Sequence, residues 1–166
     1  MPKKSSPRSA ARKSVYIGLA VVLASVVAGA AFFALKSALT SQTDSARMAQ
    51  LETGRRIYAE ACAACHGASL EGQANWQKRL PNGRMPAPPH DALGHTWHHS
   101  DEVLFRITKD GPAAYPAGYQ TDMLAFGGRL TDEEITATLA FIKSTWPPEV
   151  RAKQERIDLD SQRRKP

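Results

Sequence analysis

The apolar and polar positions of this chain fall into stretches of different texture. From Val15 to Leu35 the residues VYIGLAVVLASVVAGAAFFAL carry no charge. As a helix this run is long enough to cross a hydrocarbon core of ~30 Å, and it predicts a membrane-spanning segment over 15–35. Residues 36–46, KSALTSQTDSA, are small and polar and read as a flexible spacer. A helical period then sets in. Met48, Leu51, Tyr58 and Cys62 recur with Arg55, Arg56 and Glu60 among them, predicting a helix from about Ser45 to Ala64. Gly54 lies inside it, where glycine costs up to ~1 kcal/mol against alanine. That cost has a reason if another helix crosses closely there; a merely tolerated glycine is the alternative.

The pattern breaks over residues 67–99, which are rich in Gly, Pro, Asn and His. Pro81, Pro86, Pro88 and Pro89 exclude a long helix. A loop of this length is unusual in a compact domain unless it packs on something. Ser100 is a candidate N-cap for a short helix carrying Val103, Leu104 and Ile107 and ending near Gly111. After a second loop, Thr131-Asp132-Glu133-Glu134 is a capping-box sequence. It opens a helix with Ile135, Leu139, Ile142 and Trp146 along one stripe, closed by Pro147-Pro148. The tail from Glu149 is charged and poor in apolar residues, and reads as a frayed helix or a disordered end. No strand–helix–strand alternation and no internal repeat is visible, so the expected fold class is all-α. The expected organisation is a basic segment 1–14, a spanning segment 15–35, a linker 36–46, a domain 47–148 and a charged tail 149–166.

Charge changes the picture mainly by its placement. The chain of 166 residues has a formal net charge of +6, with 22 basic and 16 acidic residues. Lys3, Lys4, Arg8, Arg12 and Lys13 precede the apolar run, and every acidic residue follows it. From Lys36 onward 17 basic residues face 16 acidic ones, so the domain is near neutral. No basic stripe with interleaved aromatics is present, which excludes a nucleic-acid-binding face. By the positive-inside rule the basic cluster puts Met1 in the cytoplasm and the domain outside the inner membrane, in the periplasm, for a bacterial host. The competing reading is a cleaved leader ending at Ala28-Gly29-Ala30, although the apolar run exceeds the usual leader core of about 7–15 residues. Either exports the domain.

The two cysteines stand in Cys62-Ala63-Ala64-Cys65-His66. This spacing matches covalent haem attachment. Two thiols with two residues between them can reach the two vinyl groups on one porphyrin edge, and the adjacent His66 can bring its imidazole beneath the iron. A thioredoxin-like pair would normally follow a strand at a helix start, whereas an amphipathic helix precedes this one. A structural zinc site would need ligands from later histidines. The expected cofactor is one haem c.

The second axial ligand is the next question, since Met/His ligation raises the haem potential; a methionine is the main expectation, with a histidine or an open site as the alternative. Met123 lies in the loop before the last helix, with the reach to fold back over the opposite face; Met85, followed by Pro86, is the alternative. For either, the plain reading is apolar filler. His90, His95, His98 and His99 remain. HTWHH resembles a metal cluster, yet histidine clusters in loops are weak signals. A loop-stabilising role is the main expectation, a hydrogen bond from one of them or from Trp97 to a haem propionate the second, and a copper or zinc site on His95, His98 and His99 the third.

Together these features resemble the monohaem class I cytochrome c family, in a membrane-anchored form. The resemblance rests on Gly54 and Tyr58 ahead of CAACH, the Met123 loop, and TATLAFIKSTWP with Phe141. It covers roughly residues 47–148. It implies an all-α fold of about three main helices around one covalent haem, preceded here by the spanning helix, with the first and last domain helices crossing at a glycine and aromatics. It implies thioether bonds at Cys62 and Cys65, His66 as proximal ligand and Met123 as distal ligand. Many members carry Met-Pro at the distal ligand, which after the cysteine motif occurs here at Met85-Pro86, whereas Leu124 follows Met123. A loop proline carbonyl often orients the proximal imidazole in that family, and Pro88 or Pro89 would do so here.

The expected function is therefore one-electron transfer without catalysis. The expected partners are the membrane, through a single-pass anchor, and redox proteins such as respiratory complexes or exported reductases and oxidases. The alternatives are a haem subunit of an oxidoreductase, a haem protein with a labile distal site, and a metal-handling module built on the histidine cluster.

Overall fold

The computed structural model describes the backbone of residues 7–164 and the side chains of residues 26–164. The chain divides into two compact units, one up to Ala46 and one from Arg47. Helix α1, Pro7–Ile57, runs through the boundary. In the first unit, residues 36–46 are helical rather than a flexible spacer. Their small polar side chains bond to the helix's own carbonyls: Thr40 Oγ1 donates to Lys36 O at 3.0 Å and Thr43 Oγ1 to Thr40 O at 2.8 Å.

The expected membrane anchor is corrected. Among the described residues no helix is long and apolar enough to cross a membrane. With it go the membrane-anchored form of the resemblance, the transmembrane helix ahead of the fold, the membrane as a partner, and the inner-membrane location with its cytoplasmic and periplasmic sides. The side chains of residues 15–25, like those of the basic segment before them, lie outside the described residues; the described part of the apolar run, Val26–Leu35, rises about 15 Å as a helix, short of a core of about 30 Å.

The second unit holds the remaining elements. After Ile57 the helix widens into a π-helical turn, Tyr58–Cys62, and closes with the short helix α2, Ala63–His66. Helix α3 spans Asp101–Asp110, α4 Asp132–Ser144 and α5 Pro148–Arg163. Among the described residues there is no strand, only isolated bridges at Met85–Thr121 and Gly127–Leu130. The unit is all-α.

The capping box of α4 forms as its sequence predicts: Thr131 Oγ1 accepts from Glu134 N, and Glu134 Oε2 accepts from Thr131 N. Ser100 stands at the N-cap of α3 but makes no side-chain cap. The orphan Asp101 N–H is instead taken by Asp158 Oδ1 of α5 at 3.0 Å. The tail is thus an ordered helix. Pro148 occupies its first position, where no N–H is needed, and Val150 and Gln154 are buried.

The core lies where the first and last elements meet. Tyr58, Leu70, Ile142, Trp146 and Val150 form one buried cluster, with Cys62, Ala63, Ala92, Trp97 and Phe141 packed against it. Gly54 is buried at the crossing of α1 and α4, and a Cβ there would stand 2.0 Å from the Ala137 carbonyl oxygen. This contact accounts for the glycine inside a helix.

Asp101 joins three helices. Its carboxylate accepts Lys143 Nζ at 2.7 Å on each oxygen and Gln154 Nε2 at 2.7 Å. The Lys143 pair is half-exposed on the Asp101 side and contributes below about 1 kcal/mol. Gln154 is fully buried, and stranding its amide costs about 1–3 kcal/mol. Asp101→Ala should therefore lower stability by about 1–2 kcal/mol, and Asp101→Asn by less, since an acceptor remains. Urea unfolding of the full chain measures this, and an unchanged midpoint in Asp101→Ala would show that α5 adds nothing through this carboxylate.

Candidate haem-attachment site

The π-helical turn delivers Cys62 to the edge of the core, and α2 carries Cys65 and His66. Gly67 follows at φ +82°, a conformation that L side chains avoid, and turns the chain out of the helix directly after His66. The turn is fastened from behind. The buried Tyr58 donates its hydroxyl proton to Gly67 O at 2.8 Å, with His66 O at 3.4 Å. Burial, more than the neighbouring Cys62 and Glu71, pushes the Tyr58 pKa up, so this donor stays protonated.

Cys62 and Cys65 are both free thiols. Cys65 is exposed, whereas Cys62 packs against the core and its thiol is pushed up to about 11, by burial first and the Cys65 neighbour second. A redox dithiol works through a thiol of lowered pKa. The thioredoxin-like reading therefore has no support in the environment of Cys62.

His66 is buried, and its Nδ1 lies 2.9 Å from Pro88 O. A carbonyl only accepts, so Nδ1 carries the proton and Nε2 keeps its lone pair. Burial lowers the His66 pKa against the opposing effect of the Pro88 hydrogen bond, so the ring is held neutral. Between the two prolines weighed from sequence, the structure places Pro88 at the ring. The donor set fits a covalently attached haem: two unpaired thiols beside a neutral imidazole whose tautomer leaves a free Nε2.

His90 stacks on His66 with ring centroids 3.9 Å apart and planes 20° apart. Its Nδ1 shares a hydrogen bond with Thr96 Oγ1 at 2.5 Å, and its carbonyl accepts Trp146 Nε1 at 2.7 Å. The irregular loop 67–99 thus packs on His66 and on Trp146. Sequence reasoning missed the Tyr58 latch and the His90 stack. The only signal was indirect, a tyrosine at helical spacing from Cys62 and a histidine directly after Pro88-Pro89.

The histidine cluster does not converge on one point. His95 Nε2 and His99 Nε2 lie 3.0 Å apart, but the His98 ring stacks on Trp97 at 3.7 Å. Among the described residues no group of three or more His, Cys, Asp or Glu is arranged to hold a metal ion. Trp97 Nε1 donates to Ala92 O at 3.2 Å, within its own loop.

The two methionine loops come together. Met85 N donates to Gln120 O at 3.0 Å and Met85 bridges Thr121, while Met123 N donates to Thr121 Oγ1 at 3.1 Å. Arg84 ties the same two segments, donating to Thr121 O at 2.7 Å and pairing with Asp122 at 2.8 Å. Both methionines are partly buried.

A family model described as Cytochrome c matches residues 51–146. Cytochrome c6 of Gracilaria tenuistipitata var. liui is 31% identical over 106 residues, which cover 63% of this chain and 82% of that protein. No solved structure matches the chain. The matched region ends at Trp146, so α5 lies beyond it.

Proposed function

The chain belongs to the cytochrome c family, whose members are typically non-catalytic electron carriers, and from that premise we propose that it carries single electrons on one haem c joined to Cys62 and Cys65, with His66 and Met123 as axial ligands. The observation that carries this reading is the His66–Pro88 hydrogen bond, which presents a neutral imidazole with Nε2 free. When bound, the haem supplies an iron that cycles between ferric and ferrous states.

The residues of this chain do the rest. Cys62 and Cys65 fix the porphyrin edge covalently, one thiol against the core and the other at the surface. Pro88 holds the His66 tautomer, and the Tyr58 hydroxyl holds the turn that presents it. Met123 sits on a loop anchored by Thr121 before α4. With His66 and Met123 both holding the iron, no position would be left for a gas or a substrate, which suits a carrier. The partners proposed are redox proteins; a domain near neutrality selects no strongly charged one.

Spectra of the purified full chain test the assignment. The ferric form should show the charge-transfer band of a Met–iron bond, and the ferrous form should not bind carbon monoxide quickly. Met123→Ala should abolish the band and admit carbon monoxide, while Met85→Ala leaves both unchanged. Loss of the band in Met85→Ala alone would move the distal ligand to Met85, for which the Met85–Thr121 bridge is the supporting observation. A chain matured in a host competent for haem attachment, yet holding no covalent haem, would overturn the reading.

A further inference from the structure

We propose that His90 is a positioning residue for the proximal ligand: its imidazole, stacked on that of His66, sets the orientation of the His66 ring plane about the axis from Nε2 to the iron. The inference rests on the haem reading above and goes beyond it.

A single hydrogen bond to a carbonyl fixes a tautomer but restrains a ring plane poorly, because acceptor geometry at a carbonyl oxygen is broad. His66 has one such bond, to Pro88. A second planar group lying flat on its face supplies the missing restraint, and the 3.9 Å separation and 20° angle to His90 are those of a close parallel stack. Rotation of the His66 ring would drive its edge into that face.

A restraint works only if it is itself fixed, and His90 is held at each of its polar groups but one. Its N–H donates to Leu70 O at 2.8 Å, its carbonyl accepts Trp146 Nε1 at 2.7 Å, and its Nδ1 pairs with Thr96 Oγ1 at 2.5 Å. Tyr58 adds an edge contact, its ring centroid 6.2 Å away at 70°. Trp146 lies just past the end of α4, Tyr58 opens the turn that carries Cys62, and Thr96 belongs to the HTWHH loop. Three separate segments therefore converge on one histidine that is in contact with the proximal ligand.

The plane of an axial imidazole governs how unpaired spin spreads over the porphyrin in a ferric low-spin haem. It is read from the proton shifts of the four haem methyls and from the spread of the electron paramagnetic g-values. The test compares three variants of the full haem-loaded chain with wild type. His90→Leu keeps apolar volume but offers no flat face, and should displace the methyl shifts or split them into more than one set. His90→Phe restores a flat face without the Thr96 bond, and should keep one set near the wild-type positions, broadened as in Thr96→Val. Thr96→Val leaves both rings and removes the His90 anchor together with the longer Thr96–Pro89 bond at 3.4 Å. It should broaden the same signals, and it keeps the question open to measurement if His90→Leu does not accumulate. Wild-type shifts and g-values in His90→Leu, or equal displacement in His90→Leu and His90→Phe, would overturn the inference, as would unbroadened signals in Thr96→Val. A wild-type chain that carries no haem would instead sink the underlying reading, so the two failures are distinct.

Discussion

Replacing His66 with alanine is expected to remove the low-spin spectrum of the haem-loaded protein and to lower its stability by several kcal/mol. Three losses combine. Deleting a buried ring leaves a cavity, and large-to-small changes in cores cost about 2–5 kcal/mol. The Pro88 carbonyl loses its donor, at about 1 kcal/mol for an interior hydrogen bond. The proposed proximal bond to iron is lost as well, and with it the coupling of the cofactor to the fold. Absorption spectra of the ferric and ferrous forms, with urea midpoints on the same samples, measure both effects. The Cys62 and Cys65 thioethers should survive, so covalent haem remains while its spectrum changes. A His66→Ala chain that kept a low-spin spectrum and an unaltered potential would show that another residue supplies the proximal ligand. His90 would be the first to examine, since its ring lies against His66.

Gly54→Ala should destabilise the fold by about 2–3 kcal/mol although it adds only one methyl group, and Gly54→Val should cost more. The added Cβ would meet Ala137 O at 2.0 Å, Ala137 C at 2.5 Å and the Phe141 Cβ at 2.9 Å. Two of these are backbone atoms inside α4, so no side-chain rotation relieves the clash and the helices must part. Alanine gains up to about 1 kcal/mol of helix propensity over glycine, which offsets only part of the cost. Parting the helices also disturbs the Tyr58–Phe141 contact, whose ring centroids are 5.6 Å apart, and through Tyr58 the turn that presents His66. Gly29→Ala is the control: no heavy atom lies within 4 Å of its Cβ position, so it should be neutral or mildly stabilising. Urea midpoints at constant slope decide the matter. A Gly54→Ala chain as stable as wild type would show that the crossing is looser than the structure draws it.

The elements that were legible in the sequence share one property: their signals are local. The capping box at Thr131 forms between residues three apart, and α4 follows where it predicts. The attachment motif is five consecutive residues, so the types and order of its thiols and imidazole need no folding argument. The glycine at position 54 pointed to a crossing partner and found one in Ala137. Elsewhere the local signal misled. Ser100 reads as a cap from its type and place, but the Asp101 N–H goes to Asp158, 57 residues on. The tail from Glu149 reads as a frayed helix or a disordered end because it is charged and poor in apolar residues. It is helical because Gln154 and Val150 are buried, Gln154 bonding to Asp101 and Val150 packing in the core. The anchor was argued from the length of an apolar run, and among the described residues no helix meets that requirement.

At the site itself the division is sharper. Consecutive residues were enough to name Cys62, Cys65 and His66 as the group to watch, and only Met85 and Met123 follow the motif, of which loop reach favours Met123. These signals could not choose Pro88 over Pro89, bring the two methionine loops together at Thr121, or lay His90 on His66. Those contacts join residues 22, 37 and 24 positions apart, through His66–Pro88, Arg84–Thr121 and His66–His90, and the last is held by Trp146, 56 residues beyond His90. A helix start or an attachment motif is written in neighbours, because the groups that satisfy each other lie within a turn or two. A ring plane or a choice between two adjacent carbonyls depends on how the chain returns to itself, which only the packing of the core around Tyr58 and Trp146 decides.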